Sequence, residues 1–449
     1  MTENIMHFDL FVIGGGSGGV RAARVASSKG KRVGLAEGWD LGGTCVNRGC
    51  IPKKLYSYSS HFLEELEVMK SFGWSVDNVN FSWSNLVRNK KKEINRLNEI
   101  YKTILENSGV RIFNCFASFK SEKIIKLNDQ EVSAENVLIA VGGKPVIPEI
   151  EGSQYIISSD EAFDIEKLPN KILIVGGGYI ALEFASIFNG LGVDTTICVR
   201  GDKILRGFDE EVALFLKEEM EKKGIKFMLN TNPHKVVKNS ETLDVSINNY
   251  VINFDIVMAA TGRRANLDLL KIHNTTVKLN ENKSIEVDDF FETSNKNIFA
   301  IGDVIDRVQL TPVAIAEAMV LISNIFDKKN SFDYNYIPTA IFANPNMSSI
   351  GYSEEMAKKN FGDIEVYISK FRPLKYTLSK FDEKVFIKLV VEKKTQKVLG
   401  LHYIGADAAE IIQGFSVAIL KGITKKDLDN TIGIHPSSAE EIVTLKEKR

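Results

Sequence analysis

Cysteine is scarce in this chain, with four in 449 residues. That is too few for the disulfide scaffold of a small secreted domain. Net charge is missing too: Lys plus Arg number 57 against 58 for Asp plus Glu. Such a balance gives no electrostatic reason to expect nucleic acid or an anionic membrane as a partner. There is no uninterrupted apolar run of about 18 residues, so no segment is expected to span a bilayer. The segment Met1-Thr2-Glu3-Asn4-Ile5-Met6-His7 lacks both a basic leader with an apolar core and an Arg/Ser-rich transit pattern. The expectation is a cytoplasmic protein. Low-complexity segments and long linkers are absent as well.

What is present is ordinary for a globular protein, with 44% hydrophobic and 26% charged residues. The length accommodates two to four domains. Phe8–Ile13 reads as a buried parallel strand, a short apolar run ended by glycine. Gly14-Gly15-Gly16-Ser17-Gly18-Gly19 follows, then a helix over about 20–28 and a strand over 31–37. The same grammar returns at 171–175 (strand), 176–181 (turn), 182–191 (helix) and 194–199 (strand). Two strand–glycine loop–helix–strand units predict two dinucleotide sites. Residues 77–107 are polar and helical in pattern. After about Pro338 the texture changes: 385–391 and 398–404 read as an antiparallel sheet flanked by a helix over 409–420.

In the first loop, Gly14 suits the tight turn, Gly16 the approach of a pyrophosphate, and Gly19 the packing of helix on strand. The helix N-terminus offers unpaired N–H groups to phosphate. Glu37, at the end of the second strand, is placed to accept from a ribose diol. The second loop carries Ala181 at the third glycine position, a permitted variant. Its second strand ends in Val199-Arg200 with no carboxylate, and Arg206 follows six residues on. Two guanidiniums suit a 2′-phosphate, which favours NADPH over NADH.

Cys45 and Cys50 lie in Gly42-Gly43-Thr44-Cys45-Val46-Asn47-Arg48-Gly49-Cys50-Ile51-Pro52-Lys53-Lys54. A structural disulfide, a metal site and a redox dithiol are all chemically open to such a pair. A metal wants further ligands at suitable spacing, and none is near. A redox dithiol needs one accessible sulfur and a second to resolve it, which a helix beginning between the two would favour. Cys115 and Cys198 read as buried small hydrophobes in strand-like stretches. His435, in the carboxylate-rich His435-Pro436-Ser437-Ser438-Ala439-Glu440-Glu441, is the candidate proton handler, because a carboxylate on the ring fixes the tautomer.

Taken together, Gly42 to Lys54, Gly176 to Glu183, Ala300 to Val304, Leu310-Thr311-Pro312 and His435 to Glu441 resemble the disulfide-reductase flavoproteins over essentially the whole chain. The resemblance implies an α/β fold: two Rossmann-like domains, for FAD and NADPH, and a C-terminal α+β dimerisation domain. It implies an FAD-binding domain over 1–143 completed by a central segment over 265–335, an NADPH-binding domain over 144–264, and an interface domain over 336–449. FAD would lie on Gly14, Gly16, Ser17, Gly18 and Gly19, with Glu37, Thr44, Gly142, Asp303 and Thr311 around it. NADPH would meet Gly176, Gly178, Ile180, Ala181, Arg200, Arg206 and Gly262, with Tyr179 as a flap over the flavin. Lys53 would sit near the reactive flavin nitrogen and pair with Glu183. Cys50 would face the flavin and Cys45 would attack substrate. His435, held by Glu440, would protonate the departing thiol from the partner subunit of a homodimer.

The resemblance further implies glutathione disulfide as the substrate. Lys53 after Pro52 and Arg200 separate the chain from lipoamide-type relatives. Arg21 and Arg24, three apart on the first helix, suit a dianionic disulfide. Ser17 and Tyr101 would complete that contact. The end Thr444 to Arg449 carries no cysteine, unlike the extra redox tail of large thioredoxin reductases. Met319 stands where animal members carry an arginine that contacts glutathione. Two alternatives follow: another low-molecular-weight disulfide as substrate, or a redox-silent dimeric flavoprotein scaffold.

Overall fold

The structure, a computed structural model, describes residues 5–449. The chain forms two compact units. Met1–Lys53, Ser84–Val146 and Gly262–Asp333 make the first, and Lys54–Trp83, Ile147–Thr261 and Tyr334–Arg449 the second.

The first unit is built on a parallel sheet. Strands Arg111–Phe113, Val33–Ala36, Met6–Ile13 and Gln130–Ile139 lie in that spatial order. The far edge of Gln130–Ile139 is shared: Ile124–Leu127 pairs antiparallel with its first half, and Ile298–Ala300 pairs parallel with its second. Leu10, Phe11 and Val12 are fully buried, which explains why that strand reads as a continuous apolar run rather than an alternating one. Each such side chain contributes about 1.5–3 kcal/mol by burial. Helix Ser17–Ser28 buries Ala22, Ala23 and Ala26. A Cβ on its Gly18 would come within 3.2 Å of Ala314 O, on helix Thr311–Phe326.

The second unit holds three sheets. Lys226–Met228, Asp194–Cys198, Lys171–Val175, Ile256–Ala259 and Ile157–Ser158 form a five-stranded parallel sheet in that order. Pro233–Asn239, Thr242–Ile247 and Tyr250–Phe254 form an antiparallel meander. Thr339–Ile341, Met347–Gly351, Val398–Ile404, Val385–Glu392 and Ile364–Phe371 make the expected antiparallel sheet, and helix Ala408–Leu420 packs its Ile412 and Ile419 into that core.

Boundaries differ from the sequence reading in instructive ways. Both loop helices begin three residues early, at Ser17 and Tyr179, because Gly16 and Gly178 already serve as extended N-caps. The polar stretch is helical only over Trp83–Asn107. Helix Cys50–Ser71, 22 residues long, has no counterpart in the sequence pattern. Cys198 is buried at a strand end as expected, whereas Cys115 lies past the end of Arg111–Phe113 and is half-buried. Its N–H turns back onto Phe113 O at 2.9 Å, which ends the strand.

Candidate active site

The first glycine turn does mechanical work at two positions. Gly14 has φ 111°, and a Cβ there would lie 2.4 Å from Ala140 O. A Cβ on Gly19 would lie 2.0 Å from Gly14 O, so only glycine lets the helix seat on the turn. Gly16 is different: a Cβ there would meet nothing nearer than Gly43 Cα at 3.9 Å. It borders a cleft lined by Ser17, Gly18, Thr44, Cys45, Gly142, Asp303 and Thr311. Backbone open to close approach, at the N-terminus of a helix, fits a pyrophosphate.

Glu37 lies at the loop. Its carboxylate accepts from Gly15 N at 2.7 Å and from Trp39 N at 2.8 Å. Burial pushes this carboxyl above the ordinary range, against those backbone bonds. Asp303 is likewise raised by burial, opposed by the Arg263 guanidinium. Arg263 in turn donates to Gly143 O at 2.5 Å.

The two thiols are held by two helices rather than one. Cys45 is in the first turn of Gly43–Arg48, and Cys50 is the first residue of Cys50–Ser71. Gly49 makes the break, where a Cβ would lie 2.8 Å from Thr44 O. Both sulfurs thus sit at helix N-termini, where the backbone dipole favours thiolate. Cys50 Sγ lies 3.6 Å from Thr311 Oγ1. The Cys45 thiol is pushed up strongly, first by its hydrogen bond to Cys50 and then by burial, with Thr311 and Ser17 hydroxyls opposing.

Around Cys45 the expected substrate residues converge. Burial raises the Tyr101 hydroxyl and Cys45 adds to it, while Arg21 and Arg24 act against them. Arg24 Nε is buried with no hydrogen-bond partner among the described residues. Lys53, buried, continues the helix from Cys50, with its N–H on Gly49 O at 3.0 Å.

In the second unit, Gly176 repeats the turn with φ 138° and a Cβ position 2.2 Å from Ala260 O. Around Gly178 a Cβ would find nothing within 4 Å. Ala181 is fully buried, and Tyr179 is exposed. Arg200 and Arg206 are both exposed on the loop after Asp194–Cys198. Leu205 N donates to Gly177 O at 2.7 Å, fastening that loop to the glycine turn. Glu183 is buried on helix Tyr179–Gly190 and accepts from Phe342 N at 2.9 Å. Gly262, with φ 123°, belongs to the first unit.

His435 stands clear of its own fold, its side chain 83% exposed. Nδ1 is 3.0 Å from Glu440 Oε1, and Glu440 N donates to Ser437 Oγ at 3.2 Å. That geometry leaves Nε2 as the working atom. Ile432 and Ile434 beside it are 94% and 80% exposed. Met319 is exposed on helix Thr311–Phe326.

Sequence reasoning missed three supports. Glu317, fully buried, accepts from Gly302 N at 2.7 Å and fixes the turn that presents Asp303. Asn98 donates to Leu41 O at 2.8 Å and to Asn47 Oδ1 at 2.9 Å, holding the approach to the thiol helix. Lys388, buried in a β-strand, lies 2.8 Å from Asp209 Oδ1 and 2.8 Å from Glu354 Oε2. A lone glutamate in the apolar run Thr311–Phe326 was the one available signal.

Among the described residues, no helix is long and apolar enough to cross a membrane. Residues 8–318 match the family described as pyridine nucleotide-disulphide oxidoreductase, and residues 337–446 match its dimerisation domain. The glutathione reductase of Burkholderia cepacia is 44% identical over 98% of this chain and 99% of its own length. The chloroplastic/mitochondrial glutathione reductase of Pisum sativum is 44% identical over 98% of this chain and 82% of its own. The glutathione reductase of a Nostoc strain is 40% identical over 98% and 99%. With both matches spanning nearly the whole sequence, the chain belongs to the pyridine nucleotide-disulphide oxidoreductase family.

Proposed function

We propose that this protein reduces glutathione disulfide to glutathione with NADPH, through FAD and the Cys45–Cys50 pair. One observation carries the reading: two thiols at helix N-termini share a hydrogen bond within a cluster containing Ser17, Arg21, Arg24, Tyr101 and Thr311. FAD, reduced by NADPH, supplies the electron pair that opens the Cys45–Cys50 disulfide.

Cys45 as thiolate attacks one sulfur of glutathione disulfide. A Cys45–glutathione disulfide forms, the substrate S–S bond breaks, and one glutathione thiolate leaves. The partner subunit's His435, oriented by Glu440, protonates it from Nε2. Cys50 thiolate then attacks Cys45 Sγ, releasing the second glutathione and restoring the Cys45–Cys50 disulfide. Arg21 and Arg24 hold substrate carboxylates, and Tyr101 and Ser17 line the approach. Lys53 and Glu183, both buried charged groups, serve the flavin end.

We assign FAD to 1–143 with 265–335, NADPH to 144–264, and the homodimer contact to 336–449. The exposed Ile432 and Ile434 beside His435 support a second copy covering that face. A cytoplasmic setting suits thiols that must cycle.

NADPH oxidation measured with glutathione disulfide and with other small disulfides at equal concentration tests the substrate. Cys45→Ser should abolish turnover, and His435→Gln should slow it by roughly 10²–10⁴. Normal turnover by Cys45→Ser would reject the roles given to the sulfurs.

A further inference from the structure

Val33–Ala36 and Arg111–Phe113 are parallel neighbours, with Ala36 opposite Phe113. Three residues past each of these strand ends stands an exposed aromatic: Trp39, 57% exposed, and Phe116, 45% exposed. Their rings meet edge to face, with centroids 5.8 Å apart at 83°. The Arg48 guanidinium lies 4.0 Å from the indole centroid. Gly38 makes this possible, since a Cβ there would fall 2.3 Å from Phe116 Cδ1. Glu37 N donates to Phe113 O at 3.0 Å, tying the carboxylate-bearing residue to the same two strand ends.

Apolar rings of this size left in the open, at the carboxyl ends of parallel strands, are where a ligand is expected in an open α/β sheet. The dinucleotide rule places a ribose at Glu37 and a pyrophosphate at Gly16. The base on that ribose therefore extends past Glu37, away from the glycine turn. Trp39 N donates to Glu37 Oε1, so the indole is anchored where that base must go.

We infer that Trp39 and Phe116 form an aromatic ledge that takes the adenine of FAD. The inference rests on the FAD reading of the first glycine loop and adds to it residues that the loop motif does not contain. The Arg48 guanidinium lies over the indole, and Arg48 ends the helix that carries Cys45, so the ledge and the redox helix share one support.

The test uses the holoenzyme. FAD release after dilution is followed by the rise of flavin fluorescence, with far-UV circular dichroism recorded on the same samples. Trp39→Ala and Phe116→Ala should each release FAD about tenfold faster, the scale of base–aromatic stacking. Trp39→Phe should stay near the parent rate. Phe116→Leu keeps apolar bulk without a π-face, and it replaces the alanine variant should that one fail to fold. It should also release faster. Alanine and leucine variants that fold and release FAD at the parent rate would overturn the ledge alone. A parent protein that carries no flavin when purified and takes up none from added FAD would overturn the ledge together with the cofactor reading beneath it.

Discussion

The two glycine turns use one backbone device and finish it differently. Gly14 and Gly176 both take positive φ, and a Cβ at either would strike a carbonyl of a neighbouring strand end, Ala140 O or Ala260 O. Gly16 and Gly178 both border open space. At the helix, however, Gly19 has no room for a Cβ, whereas Ala181 carries one in full burial. At the second strand the chemistry inverts. The first turn is closed by the Glu37 carboxylate on Gly15 N, and the second by a main-chain bond from Leu205 to Gly177 that leaves Arg200 and Arg206 in solvent. Shared sterics make both turns dinucleotide cradles. In the proposed function, the charge at the second strand end selects the dinucleotide each accepts.

The sharpest way to break this comparison is at the helix. Gly19→Val should leave the purified protein nearly colourless, because the clash is with backbone and costs about 1–3 kcal/mol or more. Ala181→Gly should change the KM for NADPH only slightly, at a cost of about 0.5–1 kcal/mol to its helix. Full flavin absorbance in Gly19→Val would show that the first turn tolerates what its geometry forbids.

Next in size is the charge difference. Arg200→Ala with Arg206→Ala removes the two charge-assisted contacts proposed for the 2′-phosphate, each about 1.5–3 kcal/mol. The ratio of kcat/KM for NADPH over NADH should fall by about 10² or more. A ratio that does not move would remove the phosphate role from both arginines.

The smallest effect concerns pH. Asp209 caps helix Glu210–Lys222, which follows the arginine-bearing loop, and it shares Lys388 with Glu211 and Glu354. Burial pushes Glu354 up, but Lys358, Lys388 and Arg449 outweigh it and hold the carboxyl at about 2. A depressed folded pKa gives stability that is present above about 4.5 and lost as pH falls through about 2. Glu354→Gln should therefore lower Tm at pH 6 and cease to matter near pH 2, with a difference of about 1 kcal/mol or less after solvent screening. At Glu37 burial raises the carboxyl, so the slope runs the other way: stability rises as pH falls through its folded pKa. Glu354→Gln and parent melting together at pH 6 would show that the Lys388 cluster adds nothing.

Local patterns were readable wherever the physics is local. A glycine at a positive-φ turn, an apolar strand before it and two cysteines five residues apart each act over a few residues. Contacts that required folding were not readable. Thr311 reaches Cys50 across 261 positions, and Asp209 reaches Lys388 across 179. Trp39 and Phe116 carried no signal either, since each is an ordinary aromatic until Ala36 and Phe113 become neighbours.

The amino-acid order alone determined the two cradles, the dithiol and the His435–Glu440 pair, because sterics and short-range hydrogen bonding operate within a few residues. Tertiary structure alone decided that Cys45 and Cys50 sit on separate helices broken at Gly49. It also decided that Glu317 holds the turn at Asp303, and that Arg21, Arg24 and Tyr101 gather near Cys45. Those arrangements depend on which strands pair and which helices pack, and burial energy settles that only across the whole chain.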